Sequence, residues 1–194
     1  MKIIIASKNK GKLTEFQQLA TGTKLEFIPI PEEKLEIPEE SGSTFRENAL
    51  IKAKFVSEYF SLPALADDSG LEVDALNGNP GIYSARYSSQ KTDQANCEKL
   101  LENMRGLNKK ERSARFRCCL LGYNQGKIVS SEGTLEGEIA VDFRGEKGFG
   151  YDPIFLLPKL GLHLAELDKD EKNKISHRSE AFKEINDKLQ SLFN

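Results

Sequence analysis

Phe45, Ala49, Ala53, Val56 and Phe60 recur at steps of three or four residues, the repeat of a single helix face. The stripe opens at Thr44 with Glu47 three residues on, the spacing of a capping box. Such a helix must lay its apolar face on another layer, and the neighbouring segments supply one. Lys2 to Ala6 is a short β-branched run, and Leu25 to Ile30 is a second strand-like run ended by Pro29 and Pro31. Between them Lys12 to Ala20 carries Leu13, Phe16 and Leu19 at helical spacing. Further along, Ser113 to Tyr123 and Lys127 to Ile139 are long and strand-like, joined by the hairpin signal Asn124-Gln125-Gly126. Thr92 to Arg105 reads as a helix, Ile154 to Leu157 as a strand, and Ser176 is placed to cap a last helix through Leu192. Glu32 to Ser43 is an acidic, proline-containing loop. Strands and helices that alternate first and then give way to a hairpin predict an α/β fold with a mixed sheet.

No repeat or linker-like boundary interrupts the 194 residues, which suits a single domain over 1–194. A balance of 28 basic against 30 acidic side chains leaves a net charge of −2. Duplex nucleic acid as main partner calls for a strongly basic face, so no nucleic-acid partner is expected, whereas a local pocket for a small anion remains open. The apolar run in MKIIIASKNK is too brief for a signal-peptide core or a membrane span, and no membrane association is expected. Cys97, Cys118 and Cys119 are odd in number and lack CxxC spacing, and Cys118 and Cys119 fall on two faces of one strand. They read as reduced, structural thiols, with the cytoplasm as the simplest compartment. His163 and His177 stand far apart, so a histidine-rich zinc site is not expected.

Residues 64 to 73, ALADDSGLEV, set two adjacent carboxylates inside an apolar run. Neighbouring like charges repel, and a carboxylate near a core loses hydration, so Asp67 and Asp68 need a reason to be there. Asp-Asp-Ser-Gly is good tight-turn chemistry, and read alone the segment is a turn between two strands. The alternative is a metal or acid–base site at a strand end. If residues 64 to 68 are instead extended, consecutive side chains face opposite ways. Asp67 and Asp68 then cannot form a dyad: one is functional, and the other supports it or faces solvent.

Other stretches carry chemistry of their own. Ser7 to Lys12, SKNKGK, lies between a strand and a helix, where free backbone N–H groups and the helix dipole favour an anion. Lys8, Lys10 and Lys12 add charge, Gly11 permits a tight turn, and Ser7 and Asn9 are neutral donors. It is not a Walker A loop, because the first glycine is missing and Leu13 stands where Ser or Thr follows Gly-Lys. A solvated basic loop is the competing reading. Glu39 and Glu40 precede the helix at Thr44, where they serve either as helix-terminal charge or as magnesium ligands. In Gly148 to Phe155, GFGYDPIF, the glycines allow close approach, and Phe149 and Tyr151 can stack on a planar base; a glycine turn entering a core strand is the plainer reading. Lys172, His177 and Arg178 in KNKISHRSEA are either donors clustered near a helix start or exposed charge around a cap. Together these pieces make what a nucleoside polyphosphate with magnesium requires.

The order and content of these motifs resemble the inosine triphosphate pyrophosphatase family, the dITP/XTP diphosphatases, nearly end to end. SKNKGK is similar to that family's S/T-x-N-x-x-K opening and EESGSTFRENA to its glutamate segment; LADDSGLEVDALNGNPGIYSARYS is the most specific match, followed by GFGYDPIF and ISHRSEA. Ser7, where threonine is frequent, and Ser41 are small departures. The resemblance implies an elongated, two-lobed α/β protein with a cleft between the lobes, usually a homodimer. It implies hydrolysis of deaminated purine nucleoside triphosphates (ITP, dITP, XTP) to the monophosphate and pyrophosphate, with a divalent metal, Mg²⁺. Position by position, Glu40 and Asp68 correspond to metal ligands, and Asp68 also to the base that activates water. Ser7, Lys8, Asn9, Lys10, Gly11 and Lys12 would hold the triphosphate, with Ser69 a further donor. Phe149, Gly150, Tyr151, Asp152, Lys172, His177 and Arg178 would surround the purine. A non-catalytic nucleotide-binding regulator and a phosphatase releasing single phosphates are the competing functions.

Overall fold

A computed structural model describes residues 1–31 and 35–193. Its elements are those of an α/β protein. Seven strands form one mixed sheet in the order β2-β1-β3-β4-β5-β6-β7. β1 (Lys2–Ile5) lies parallel to both β2 (Glu26–Ile28) and β3 (Ala64–Val73), with Ile3 opposite Phe27 and Ile5 opposite Leu65. The crossovers between these strands carry α1 (Lys10–Leu19) and α2 (Phe45–Phe60). β4 (Ser113–Asn124) and β5 (Lys127–Ile139) follow as the expected hairpin. Its two loop residues, Gln125 and Gly126, both have positive φ (48° and 85°), which suits the right-handed twist of paired strands. β6 (Phe155–Leu157) runs antiparallel to β5, and β7 (Leu162–His163) antiparallel to β6.

The chain divides into two compact units, one of residues 1–68, 118–133 and 178–194, the other of 69–117 and 134–177. The first has a core on each face of its strands. Ile3, Ile5 and Leu65 pack with Phe16, Phe27 and residues of α5 (His177–Leu189), including Ile185. Ile4, Ala64 and Ala66 pack with Ala49, Ala53 and Val56 of α2. Strand side chains alternate between faces, so one strand feeds both cores and reads as a continuous apolar run. The second unit has its own core, in which Leu71, Val73 and Phe116 meet Leu100 and Met104 on and just after α3 (Asp93–Asn103), together with Tyr151 and Phe155.

Several boundaries depart from the sequence expectation. ALADDSGLEV is not a turn: all ten residues belong to β3. Local turn chemistry loses because its two carboxylates find partners on opposite faces and the flanking Ala64, Leu65, Ala66, Leu71 and Val73 are core residues. Helix α1 begins at Lys10 rather than Lys12, because Asn9 is its N-cap and its Oδ1 accepts from the Lys12 N–H at 3.2 Å. Gly11 therefore sits in the first helical turn and not in a tight loop. Thr44 caps α2 as expected, accepting from the Glu47 N–H, but the Glu47 carboxylate accepts from the N–H and hydroxyl of Ser43. The second strand is shorter than the run Leu25 to Ile30, and α5 gives way at Gln190–Phe193 to a 3₁₀ turn. The loop expected over Glu32 to Ser43 has no regular structure from Leu35 to Ser43; Glu32, Glu33 and Lys34 lie outside the described residues. A short helix that the sequence reading missed, α4 (Lys169–Ile175), is capped by Asp168 and Glu171 in a complete capping box.

Candidate active site

Asp67 and Asp68 point to opposite faces of β3, as extended backbone requires. Both are buried, and each is answered by a different set of charges. On the face of α1 and α5, Asp67 Oδ2 accepts from Arg178 Nε at 2.7 Å and pairs with Lys12 Nζ at 3.2 Å. Arg178 donates from Nη1 to Glu15 at 2.6 Å, and the Cys118 thiol lies 3.5 Å from Asp67 Oδ1. Burial opposes the Asp67 charge, but Arg178 and then Lys12 hold its carboxyl far below the usual carboxylate range. Arg178, only 1% exposed, is likewise held charged by Asp67 and Glu15 against its own desolvation. Asp67 thus does not face solvent; its supporting role is to anchor the N-terminal lysine and the start of α5.

On the α2 face, Asp68 Oδ1 accepts from Lys52 Nζ at 2.8 Å and Oδ2 from Asn48 Nδ2 at 3.2 Å. Lys52 also donates to Glu40 Oε1 at 2.6 Å and to the Asp67 carbonyl at 3.0 Å. A single ammonium therefore bridges Glu40 and Asp68, the two carboxylates that the family resemblance implies as metal ligands. Burial pushes the Asp68 carboxyl up to about 6; Lys52 pulls it down and Glu40 adds to the rise. For Lys52, burial works against the charge, and Asp68 and Glu40 outweigh it, so the ammonium is held above its usual range. A carboxylate poised near neutrality and shielded from bulk water is suited to accept a proton.

Two converging carboxylates are the hard oxygen donors magnesium takes, the remaining positions being filled by water and phosphate. Among the described residues no group of three or more His, Cys, Asp and Glu side chains is gathered as an all-protein cage would need. Glu40 and Asp68 could supply two such oxygens to one cation.

The remaining sequence candidates take definite places. Lys8, Asn9, Lys10 and Gly11 are exposed at the start of α1, Ser7 Oγ accepts from the Asn9 N–H at 3.1 Å, and Glu39 is exposed. Ser69, half-buried, follows Asp68 in β3. In the second unit, Asp152 organises GFGYDP: its Oδ2 accepts from the Phe149 N–H at 2.9 Å and pairs with Lys172 on α4. Lys172 Nζ lies 4.7 Å from the centre of the half-exposed Phe149 ring, an ammonium–π contact. A Cβ on Gly148 would come within 2.0 Å of Asp152 Oδ2, and φ there is +82°, so only glycine lets the loop close on that carboxylate. The Tyr151 hydroxyl is buried and donates to the Ser84 carbonyl at 2.8 Å; its ring belongs to the core and is not offered for stacking. His177 stacks on Phe116 with ring centres 5.1 Å apart. Phe149 and Gly150 also line a cavity of about 590 Å³ with Asp93, Cys97 and Phe143.

Sequence reasoning missed Lys52, Asn48 and Glu15. Asn48 and Lys52 are one helical turn apart and adjoin the stripe residues Ala49 and Ala53, which places both polar groups at the edge of a buried face. That spacing was the signal available. The three cysteines are free and buried, as their lack of pairing pattern suggested. Among the described residues no helix is long and apolar enough to cross a membrane.

Residues 3–188 match the family model described as the Ham1 family. The chain is 46% identical over 191 residues to the dITP/XTP pyrophosphatase of Bacillus subtilis, covering 97% of this chain and 96% of that one. It is 45% identical over 186 residues to the dITP/XTP pyrophosphatase of Thermus thermophilus, covering 95% and 90% respectively. Among solved structures, a HAM1 protein from Coxiella burnetii superposes with a TM-score of 0.89 at 42% identity, covering 98% of this chain and 99% of that one. The Staphylococcus aureus Ham1 protein gives 0.86 at 42% identity, with the same coverage.

Proposed function

The chain belongs to the Ham1 family, and from that membership and its paired carboxylates we propose that it hydrolyses deaminated purine nucleoside triphosphates. ITP, dITP and XTP are the substrates; the nucleoside monophosphate and pyrophosphate are the products. The observation that carries this reading is the convergence of Glu40 and Asp68 on Lys52 in a chain 46% identical to a dITP/XTP pyrophosphatase.

A nucleoside triphosphate brings roughly −4 charge near neutral pH, so cations must gather before phosphorus can be attacked. Lys12 and Lys52 are buried enough to act with little screening, and Lys8 and Lys10 add charge at the start of α1. Glu40 and Asp68 would hold Mg²⁺, which offsets polyphosphate charge and favours departure of pyrophosphate. Asp68 accepts a proton from the attacking water as its oxygen bonds to the α-phosphorus and the α–β bridging P–O bond breaks. Asn9 and the first turn of α1 supply neutral donors for phosphate oxygens. Ser69 is a further donor.

Recognition of the base falls to Phe149, Gly150, Asp152 and Lys172, with Tyr151 and His177, both buried, holding their loops in place. Lys172 can meet the 6-oxo acceptor of inosine or xanthine, whereas the 6-amino group of adenine would leave it unanswered. Arg178 stays in this set by its place beside His177 in the motif, with Nε and Nη1 committed to Asp67 and Glu15. A cytoplasmic homodimer is the form in which we expect the enzyme to work.

Incubation with ITP, dITP, XTP, ATP and GTP, with and without Mg²⁺, followed by separation of products, tests the proposal. Monophosphate plus pyrophosphate from the deaminated nucleotides, dependent on Mg²⁺, is expected. Diphosphate plus phosphate would indicate a phosphatase, and binding without turnover a regulator.

A further inference from the structure

Asn48 has no exposed surface, is the fourth residue of α2, and is held at both ends of its amide. Oδ1 accepts from the Gly42 N–H at 2.8 Å, and Nδ2 donates to Asp68 Oδ2 at 3.2 Å. The orientation is not interchangeable: a backbone N–H only donates and an ionised carboxylate only accepts, so a flipped amide would lose both bonds. Gly42 lies two residues from Glu40 in the irregular segment ahead of α2. A Cβ at Gly42 would meet Glu47 Cβ at 2.6 Å and Asn48 Oδ1 at 2.8 Å, so glycine alone lets this segment close on the amide. One neutral side chain thus ties the segment carrying Glu40 to the strand carrying Asp68.

Lys52 and Asn48 divide the work on Asp68. Lys52 takes Oδ1 and supplies charge; Asn48 takes Oδ2 and supplies none. When a cation or a substrate draws Lys52 away, the amide still fixes the second oxygen and the neighbouring loop. From this geometry we propose that Asn48 is a positioning residue, setting the orientation of Asp68 and its separation from Glu40, and so the grip of the two carboxylates on a divalent cation. The inference rests on the reading of Glu40 and Asp68 as the metal and catalytic carboxylates.

Mn²⁺ binding to the full-length protein without nucleotide, followed by electron paramagnetic resonance, reads the grip directly; ITP hydrolysis with Mg²⁺ reads its consequence. Asn48→Ala is expected to weaken Mn²⁺ binding and lower kcat, each by about 10- to 100-fold, with the KM for ITP changed by less than about threefold. Gly42→Ala, which leaves every ligand in place, is expected to move both quantities in the same direction. In the Gly42→Ala/Asn48→Ala protein the effects should fall well short of the product of the single ones. Wild-type Mn²⁺ affinity and kcat in a folded Asn48→Ala protein overturn the proposal. Should Asn48→Ala fail to fold, wild-type behaviour of Gly42→Ala overturns it equally. A wild-type chain that binds no Mn²⁺, either alone or with pyrophosphate added to complete the shell, overturns the carboxylate reading, and this inference with it.

Discussion

Asp67 and Asp68 are neighbours in sequence with separate tasks because strand geometry sends them to different faces. Asp68 meets a lysine and an amide and is pushed up to about 6 by burial, with Glu40 adding to the rise. Asp67 meets an arginine, which holds its carboxyl low despite complete burial. Removal of charge from Asp67 takes from the buried Arg178 one of the two carboxylates that its guanidinium pairs with, the other being Glu15. Breaking a buried pair from one side costs about 3–5 kcal/mol, and Asp67→Asn, which keeps shape and one acceptor, should fall near the lower figure. Urea denaturation of the variant beside the wild type measures this; a difference under about 0.5 kcal/mol would mean that the pair carries no net stability. The motif residues Glu40, Asp68 and Lys12 were legible in the sequence because each stands in a recognisable local string. The partners were not. Arg178 reaches Asp67 from 111 residues away, and no local pattern records that meeting. The same gap explains the misread turn: Asp-Asp-Ser-Gly has turn chemistry locally, and only distant cations and two cores keep it extended.

At the scale of elements, periodicity served well where an apolar face was long. The α2 stripe, the β1 run and the β4–β5 hairpin were all recoverable, since burial on one or both faces dictates their spacing. Short polar elements were not. α4 has the sequence KDEKNKI and no buried residue, so nothing periodic announces it; its capping box, Asp168 with Glu171, was the readable sign. That helix matters to the proposed base recognition because it carries Lys172. The hairpin offers a clean test of local backbone energetics. Gly126 has φ of +85° and open space where a Cβ would stand, so Gly126→Ala meets backbone strain rather than a clash. The expected cost is about 1–2 kcal/mol, read as a lowered thermal midpoint with ITP turnover unchanged. An unaltered midpoint would mean that the turn relaxes to another geometry. Elsewhere Arg112, buried, donates to the carbonyls of Met104, Ile139 and Ala140 and so fastens the end of α3 to the end of β5. Burial lowers its pKa, which is the cost of holding a cation among carbonyls.

The whole molecule is a chain that passes repeatedly between its two units. Its segments alternate, with changeovers at Asp68–Ser69, Arg117–Cys118, Gly133–Thr134 and His177–Arg178. The first and last of these fall inside motifs that the sequence singles out. The family match over residues 3–188 takes in both units, and the catalytic assignment belongs to the first of them. Within that unit the proposed hydrolysis depends on Asp68 as the carboxylate that takes the proton of the attacking water. Steady-state turnover of ITP by Asp68→Asn, with Mg²⁺ and with its thermal midpoint recorded beside that of the wild type, tests this most directly. Loss of about 10²-fold or more in kcat, with the folded structure retained, is the predicted result. Near-normal turnover by the folded variant would contradict it.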